Sequence, residues 1–221
     1  MQQTAQTARA LAAQLLVQCE QRRSYANLAL DSALKKARFL HADAAFCTAL
    51  VYGVVERRRT LDFQAADLLR QPLQKLPPAT RAALRLGLYQ LFYMDRIPDH
   101  AAIGESVELV KNLPQARHTA GLVNAVLRRA RERGLQLPAG SDDEALAVRY
   151  ACPAWLVRLW RESYPEDYIA LLAGSFGTGE TVLRVNTTRT TPAALLAALP
   201  NETGARGVAP CPKPFNCAAP T

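Results

Sequence analysis

From residue 8 to residue 133 the apolar side chains recur every three or four positions, and no stretch shows the strict alternation of a half-buried strand. In residues 7–20 they fall at Ala8, Leu11, Ala12, Leu15, Leu16 and Cys19. Leu28, Leu30, Ala33 and Leu34 form a second series, beyond a polar stretch. Asp43 is placed to cap a third helix running through Ala49, Val51 and Val54 to Arg57, and residues 61–69 read as a fourth. Pro77-Pro78 breaks the pattern, and proline suits a first helical turn, so a helix is expected over 79–94. Ile97-Pro98 ends it, with Asp99 as cap for a helix carrying Ile103, Val107 and Val110. Residues 121–133 complete the set, closed by Gly134. Such a pattern folds as an all-α bundle with short loops.

Beyond it the punctuation changes. Leu137-Pro138-Ala139-Gly140 reads as a linker, and Ser141-Asp142-Asp143-Glu144 as a capping box opening a helix to about Tyr150. Pro153-Ala154-Trp155-Leu156 opens another helix. Thr181-Val182-Leu183-Arg184-Val185-Asn186 has strand character, and Thr191-Pro192 starts a short helix through Leu199. The expected organisation is a helical domain over 1–137, a helical connector over 141–176, the start of a small α/β segment over 180–204, and a disordered, linker-like tail over 205–221.

The formal net charge of +8 and pI near 9.5 favour a polyanionic partner, with nucleic acid ahead of a membrane surface. Biased genomic composition also enriches arginine, so placement has to decide. Arg117, Asn124, Arg128 and Arg131 share one face of the 121–133 helix, Arg81 and Arg85 lie one turn apart, and Arg57, Arg58 and Arg59 cluster at a helix end. Asn124, among Val123, Ala125 and Val126, reads as a buried polar group bonded to backbone.

Other chemistries find little support. The five cysteines are scattered without a paired spacing, and the three histidines form no metal pattern, so no metal site is expected. The glycines between Gly174 and Gly179 precede the expected strand, whereas a cofactor loop follows one. No nucleophile–base pair stands out, and no catalytic residue is assigned. The first ten residues lack a signal peptide's apolar run and no uninterrupted apolar stretch is long enough for a bilayer, so a cytoplasmic protein with no membrane partner is expected.

Five stretches, taken in order, carry a resemblance. They are Ala8-Arg9-Ala10-Leu11-Ala12, Val51-Tyr52-Gly53-Val54-Val55, Leu86-Gly87-Leu88-Tyr89-Gln90-Leu91, Ile97-Pro98-Asp99-His100-Ala101-Ala102 and Gly121-Leu122-Val123-Asn124-Ala125-Val126-Leu127-Arg128-Arg129. Together they resemble the NusB-like domain at the front of the Sun/Fmu (RsmB) 16S rRNA cytosine-C5 methyltransferases. Tyr150-Ala151-Cys152-Pro153-Ala154-Trp155-Leu156 and Leu183-Arg184-Val185-Asn186-Thr187 look like that family's connecting helices and small RNA-binding segment. The family's AdoMet loop and its two cysteine motifs are absent, and Pro210-Cys211 is followed by proline where the family has serine.

The resemblance therefore implies RNA binding, above all to small-subunit rRNA, with no cofactor in this chain and AdoMet held by the catalytic domain of the full-length family. The chain by itself is expected to be catalytically inactive. The contacts it suggests, with the basic clustering, are Arg9, Arg57, Arg81, Arg85, Arg128 and Arg131 in the bundle, then Arg184 and Asn186. The alternative is a NusB-type antitermination factor that binds RNA beside a ribosomal protein partner.

Overall fold

A computed structural model of the protein describes residues 7–22, 25–176 and 183–199. Seven helices make the front of the chain: α1 (Ala8–Arg22), α2 (Ala26–Ala37), α3 (His41–Glu56), α4 (Arg58–Leu68), α5 (Pro78–Tyr93), α6 (Asp99–Lys111) and α7 (Ala120–Arg133). Then come α8 (Asp143–Arg149), α9 (Ala154–Ser163), α10 (Tyr168–Gly174) and α11 (Pro192–Ala198). Contacts divide the chain into one unit ending at Phe176 and a second beginning at Gly177. No described helix is long and apolar enough to cross a membrane.

α5 is the axis of the first unit. Ala82, Ala83, Leu84, Leu86 and Leu88 are all buried, so the helix is covered on nearly every side, by α1, α3, α4, α6 and α7. A helix apolar all round belongs at the centre of a core. At Gly87 a β-carbon would sit 2.5 Å from a Leu127 methyl and 2.9 Å from the Ser106 hydroxyl, so glycine is what lets α7 and α6 approach. Gly134 ends α7 with φ +72, a backbone conformation that side-chain-bearing residues rarely adopt. Burial pushes the Cys47 thiol up to about 11, as fits an inert core side chain.

The buried end of α5 is ionic. Arg85, its side chain 7% exposed, donates through Nε and Nη2 to both Asp62 oxygens at 2.6 and 3.0 Å, and through Nη1 to Glu20 at 3.3 Å. Glu20 also meets Arg81 at 3.3 Å and Arg58 at 3.2 Å. Arg81 turns its Nη1 onto the Leu76 and Gln74 carbonyls. One network thus joins α1, α4 and α5. Burial alone would raise the Glu20 pKa, but Arg85, Arg81 and Arg58 outweigh it and hold the carboxyl below its ordinary range. Burial likewise opposes the charge on Arg85, and Asp62 and Glu20 reverse the effect.

Several expectations need correction. α3 starts at His41 with Leu40 in the cap position, and α6 starts at Asp99 after Pro98, so Asp43 and Asp99 are first-turn acids rather than caps. The cap of α8 is Asp142, whose carboxylate accepts from the Ala145 N–H at 2.9 Å, one residue later than the Ser141 box. Asn124 is half-buried and accepts from Arg128 at 3.1 Å instead of bonding to backbone. Residues 183–186 form no strand, and residues 181–182 lie outside the described residues. A strand needs a partner ladder for its backbone groups; here the Asn186 side-chain oxygen Oδ1 accepts from the Thr188 N–H and hydroxyl and folds a turn. The tail from residue 204, with Cys211 and Cys217, also lies outside the described residues.

Residues 137–140 are exposed or half-buried, yet they do not hang loose. Gln64 on α4 exchanges two hydrogen bonds with the backbone of Gln136, Thr60 donates to the Val148 carbonyl at 2.5 Å, and Arg149 donates to the Pro138 and Gly140 carbonyls. α8–α10 then share a small core of Leu146, Ala147, Val157 and Leu172.

Arg85→Ala removes the buried cation that grips Asp62 through two bonds and also meets Glu20, and should lower the unfolding free energy by roughly 3–5 kcal/mol, read as the urea midpoint. Arg58→Ala, with its side chain 52% exposed, should cost less than about 1 kcal/mol. Equal losses would contradict the hub. Because folding lowers the Glu20 pKa, the folded state holds this proton more weakly than the unfolded chain. Its stabilisation is complete above the ordinary glutamate value of 4.5 and is lost as pH falls through the lowered one. The urea midpoint should therefore decline in acid, and Glu20→Gln should flatten the decline.

Candidate nucleic-acid interface

A phosphate-binding surface needs cations that water can reach and that the fold does not already use. Tested this way, the eight sequence candidates separate. Arg85 and Arg81 belong to the buried network. Arg9 is half-buried, donates to Gln90 at 2.8 Å and lies 4.9 Å from the centre of the Phe46 ring. Burial lowers its pKa, an effect Glu105 partly offsets. Arg57 lies 3.5 Å from the Phe176 ring centre and 4.9 Å from that of Tyr93, which stacks in turn on Tyr89. These four guanidinium groups hold the fold together.

Arg128 and Arg131 are different. Both are exposed on α7. Among the described residues Arg128 has only the neutral Asn124 as partner, and Arg131 pairs with Asp99 at 2.6 Å across two exposed side chains. In the second unit Arg184 is exposed, while Asn186, also exposed, has turned its oxygen onto Thr188.

The structure adds residues that the sequence reading missed. Arg129 and Arg133, one turn apart on α7, line an open groove with Arg70, Asp67 and Glu132, next to the end of α4. Arg133 pairs with Asp67; Arg129 and Arg70 have no ion pair or hydrogen bond among the described residues. The i, i+4 spacing of Arg129 and Arg133 was visible, but Arg70 joins them only through tertiary packing.

Magnitudes decide what this face can do. An exposed ion pair contributes about 0–1 kcal/mol, so Arg131 and Arg133 can exchange a carboxylate for a phosphate at little cost. Arg85 cannot, since it is itself buried and losing it strips the part-buried Asp62 of its bidentate partner, which costs several times more. The outer face of α7 can therefore grip a polyanion without disturbing the bundle. Arg129→Ala and Arg133→Ala should each change the unfolding free energy by less than about 1 kcal/mol. Thermal or urea unfolding checks this, and a loss as large as that of Arg85→Ala would show that these side chains are structural.

Residues 6–132 match the NusB family, and residues 152–212 match the Methyltr_RsmF/B-like, ferredoxin-like domain. A probable ribosomal RNA small subunit methyltransferase B from Synechocystis is 37% identical over 191 residues, 83% of this chain and 42% of the relative. The chain thus spans about two fifths of that relative's length. Among solved structures, the complex of antitermination factors NusB and NusE with dsRNA aligns with TM-score 0.53 and 22% identity, covering 61% of this chain and 100% of that one. The crystal structure of PH0851 aligns with TM-score 0.62 and 15% identity, covering 86% of this chain and 43% of that one. At these identities the two structures speak for the fold alone.

Proposed function

The chain belongs to the NusB family, and we propose that it binds RNA as the rRNA-recognition portion of a 16S rRNA cytosine-C5 methyltransferase. The observation that carries this reading is the outward row of Arg128, Arg129, Arg131 and Arg133 on α7, all exposed. Kinship supports it: the Synechocystis relative is named for small-subunit rRNA.

The chemistry of this portion is positioning. Guanidinium groups form paired, charge-assisted hydrogen bonds with phosphate oxygens and fix register without reading bases. Arg128 and Arg129 are the first contacts, since neither has to leave a carboxylate. Arg131 and Arg133 follow by exchange, and Arg184 is a further contact in the second unit. Substrate held in this way presents its target base to a methyl donor bound elsewhere in the full-length relatives. In this reading AdoMet is held outside this chain, since Gly174 ends a helix where a cofactor loop would follow a strand.

A second reading, an antitermination-type factor acting with a ribosomal protein, would need the bundle alone. The helices α8–α10, bonded to α4 through Thr60 and Arg59, favour the methyltransferase reading. Affinity should be measured for a small-subunit rRNA hairpin and for a scrambled hairpin, across a salt series. Preference for the rRNA is expected, with log K falling on log salt by roughly 0.7–0.9 per phosphate engaged. Arg128, Arg129, Arg131 and Arg133 all changed to Gln should flatten that slope. Equal, salt-insensitive binding of both hairpins would sink the proposal. Binding only when a small ribosomal protein is added would favour the second reading.

A further inference from the structure

Phosphate contacts fix register but carry no sequence information. A chain that prefers one rRNA hairpin over a scrambled one therefore needs a second site that reads bases, beyond the arginines of α7. Such a site needs an apolar surface for the face of a base and neutral donors and acceptors for its edge. Among the described residues, a groove of that composition lies where α1, the first turn of α5 and the end of α6 meet. Its volume is about 500 Å³, inside the roughly 300–1,000 Å³ range of small-molecule sites.

Buried Ala13 and Ala79 and half-buried Val17, Leu109 and Leu113 give the groove an apolar floor. Gln18 and Gln21 from α1, with Asn112 and Gln115 from the turn after α6, stand nearer the solvent around it. None of these four carboxamides forms a side-chain hydrogen bond among the described residues. Each therefore keeps both its N–H donors and its carbonyl acceptor for a ligand. No charged side chain lines the groove among the described residues. A phosphate or a carboxylate finds no counter-charge there, and an apolar peptide side chain would leave the carboxamides unused. The flat face and polar edge of a nucleobase use both parts.

A cation marks the edge of the groove. Arg117, exposed and close after Gln115 in the chain, donates through Nε to the carbonyl of Lys111, the neighbour of Asn112, at 3.2 Å. That bond holds the guanidinium beside the groove and leaves both Nη groups without a partner among the described residues. A base seated in the groove brings its own phosphate, which Arg117 is placed to take. α7 begins at Ala120, and Arg128 lies about 12 Å further along its axis, so groove and arginine row can serve one RNA strand. We propose that this groove holds an unpaired base of the bound RNA. Adenine is the best match, since a Gln or Asn carboxamide meets its amino group and N7 with two hydrogen bonds. The inference rests on the RNA-binding reading and supplies the sequence readout that phosphate contacts lack.

The test compares the full 221-residue chain with a triple variant, Gln18→Ala, Asn112→Ala and Gln115→Ala, on the small-subunit rRNA hairpin. Each unpaired position of the hairpin is replaced in turn by an abasic one, and affinities are measured across a salt series. In the unaltered chain one abasic position should weaken binding roughly 5- to 150-fold. In the triple variant the same replacement should cost nothing further. The variant should also lose the preference over the scrambled hairpin while keeping the slope of log K on log salt, which the α7 arginines set. All three side chains reach solvent, so an unchanged urea midpoint checks the fold; where it falls, Gln115→Ala alone repeats the comparison. An abasic penalty of equal size in both proteins overturns the proposal, as does an equal loss of affinity for every hairpin, the scrambled one included. Lost binding of a small ribosomal protein with the rRNA preference intact would assign the groove to a peptide and overturns it too. Salt-dependent binding without preference in the unaltered chain overturns this site alone and leaves phosphate binding by α7 standing. Salt-insensitive binding of both hairpins overturns both.

Discussion

A buried guanidinium organises this molecule. Arg85 sits on the most deeply enclosed helix and gathers Asp62 from α4 and Glu20 from α1 around one positive charge. Such a cluster adds little net stability over a well-packed apolar alternative, because three charges must leave water. What it imposes is geometry: the bidentate contact to Asp62 fixes where α4 lies on α5. α4 in turn holds the connector, through Thr60 to Val148, Gln64 to Gln136 and Arg59 to Glu144. The placement of α8 therefore follows from an ion pair in the bundle.

The same cluster decides where nucleic acid can bind. A chain with net charge +8 has positive charge to spare, but part of it is internal. Arg81 and Arg85 neutralise acids, and Arg9 and Arg57 lie against aromatic rings. The remainder is unevenly spread, and α7 carries a large share on its solvent side. Recognition and stability thus use different arginines, which allows the binding face to vary without unfolding the bundle.

How far the sequence reveals this can be judged from two pairs of residues. Arg81 with Arg85, and Arg129 with Arg133, have identical i, i+4 spacing. By periodicity alone both are candidate phosphate clamps. What separates them is Glu20, which is 65 residues from Arg85 in the chain and only 3.3 Å away in space. Local pattern carries no information at that separation. The bundle was legible because helical periodicity is local and strong. The cap of α8 was misplaced by one residue because Ser141 and Asp142 are both good caps and tertiary contacts choose between them. The strand expected near Val185 failed for a similar reason: β-propensity describes a surface waiting for a neighbour, and residues 183–186 have no ladder partner among the described residues.

The central claim is that RNA meets the outer face of α7 and leaves the structural arginines untouched. The most direct measurement is a titration with a small-subunit rRNA hairpin while the arginine Nε–H signals are followed by 15N NMR. The account predicts that Arg128, Arg129, Arg131 and Arg133 shift together, while Arg9, Arg81 and Arg85 hold their positions. Shifts confined to Arg9, Arg81 and Arg85, or no shifts on α7 at saturating RNA, would contradict it.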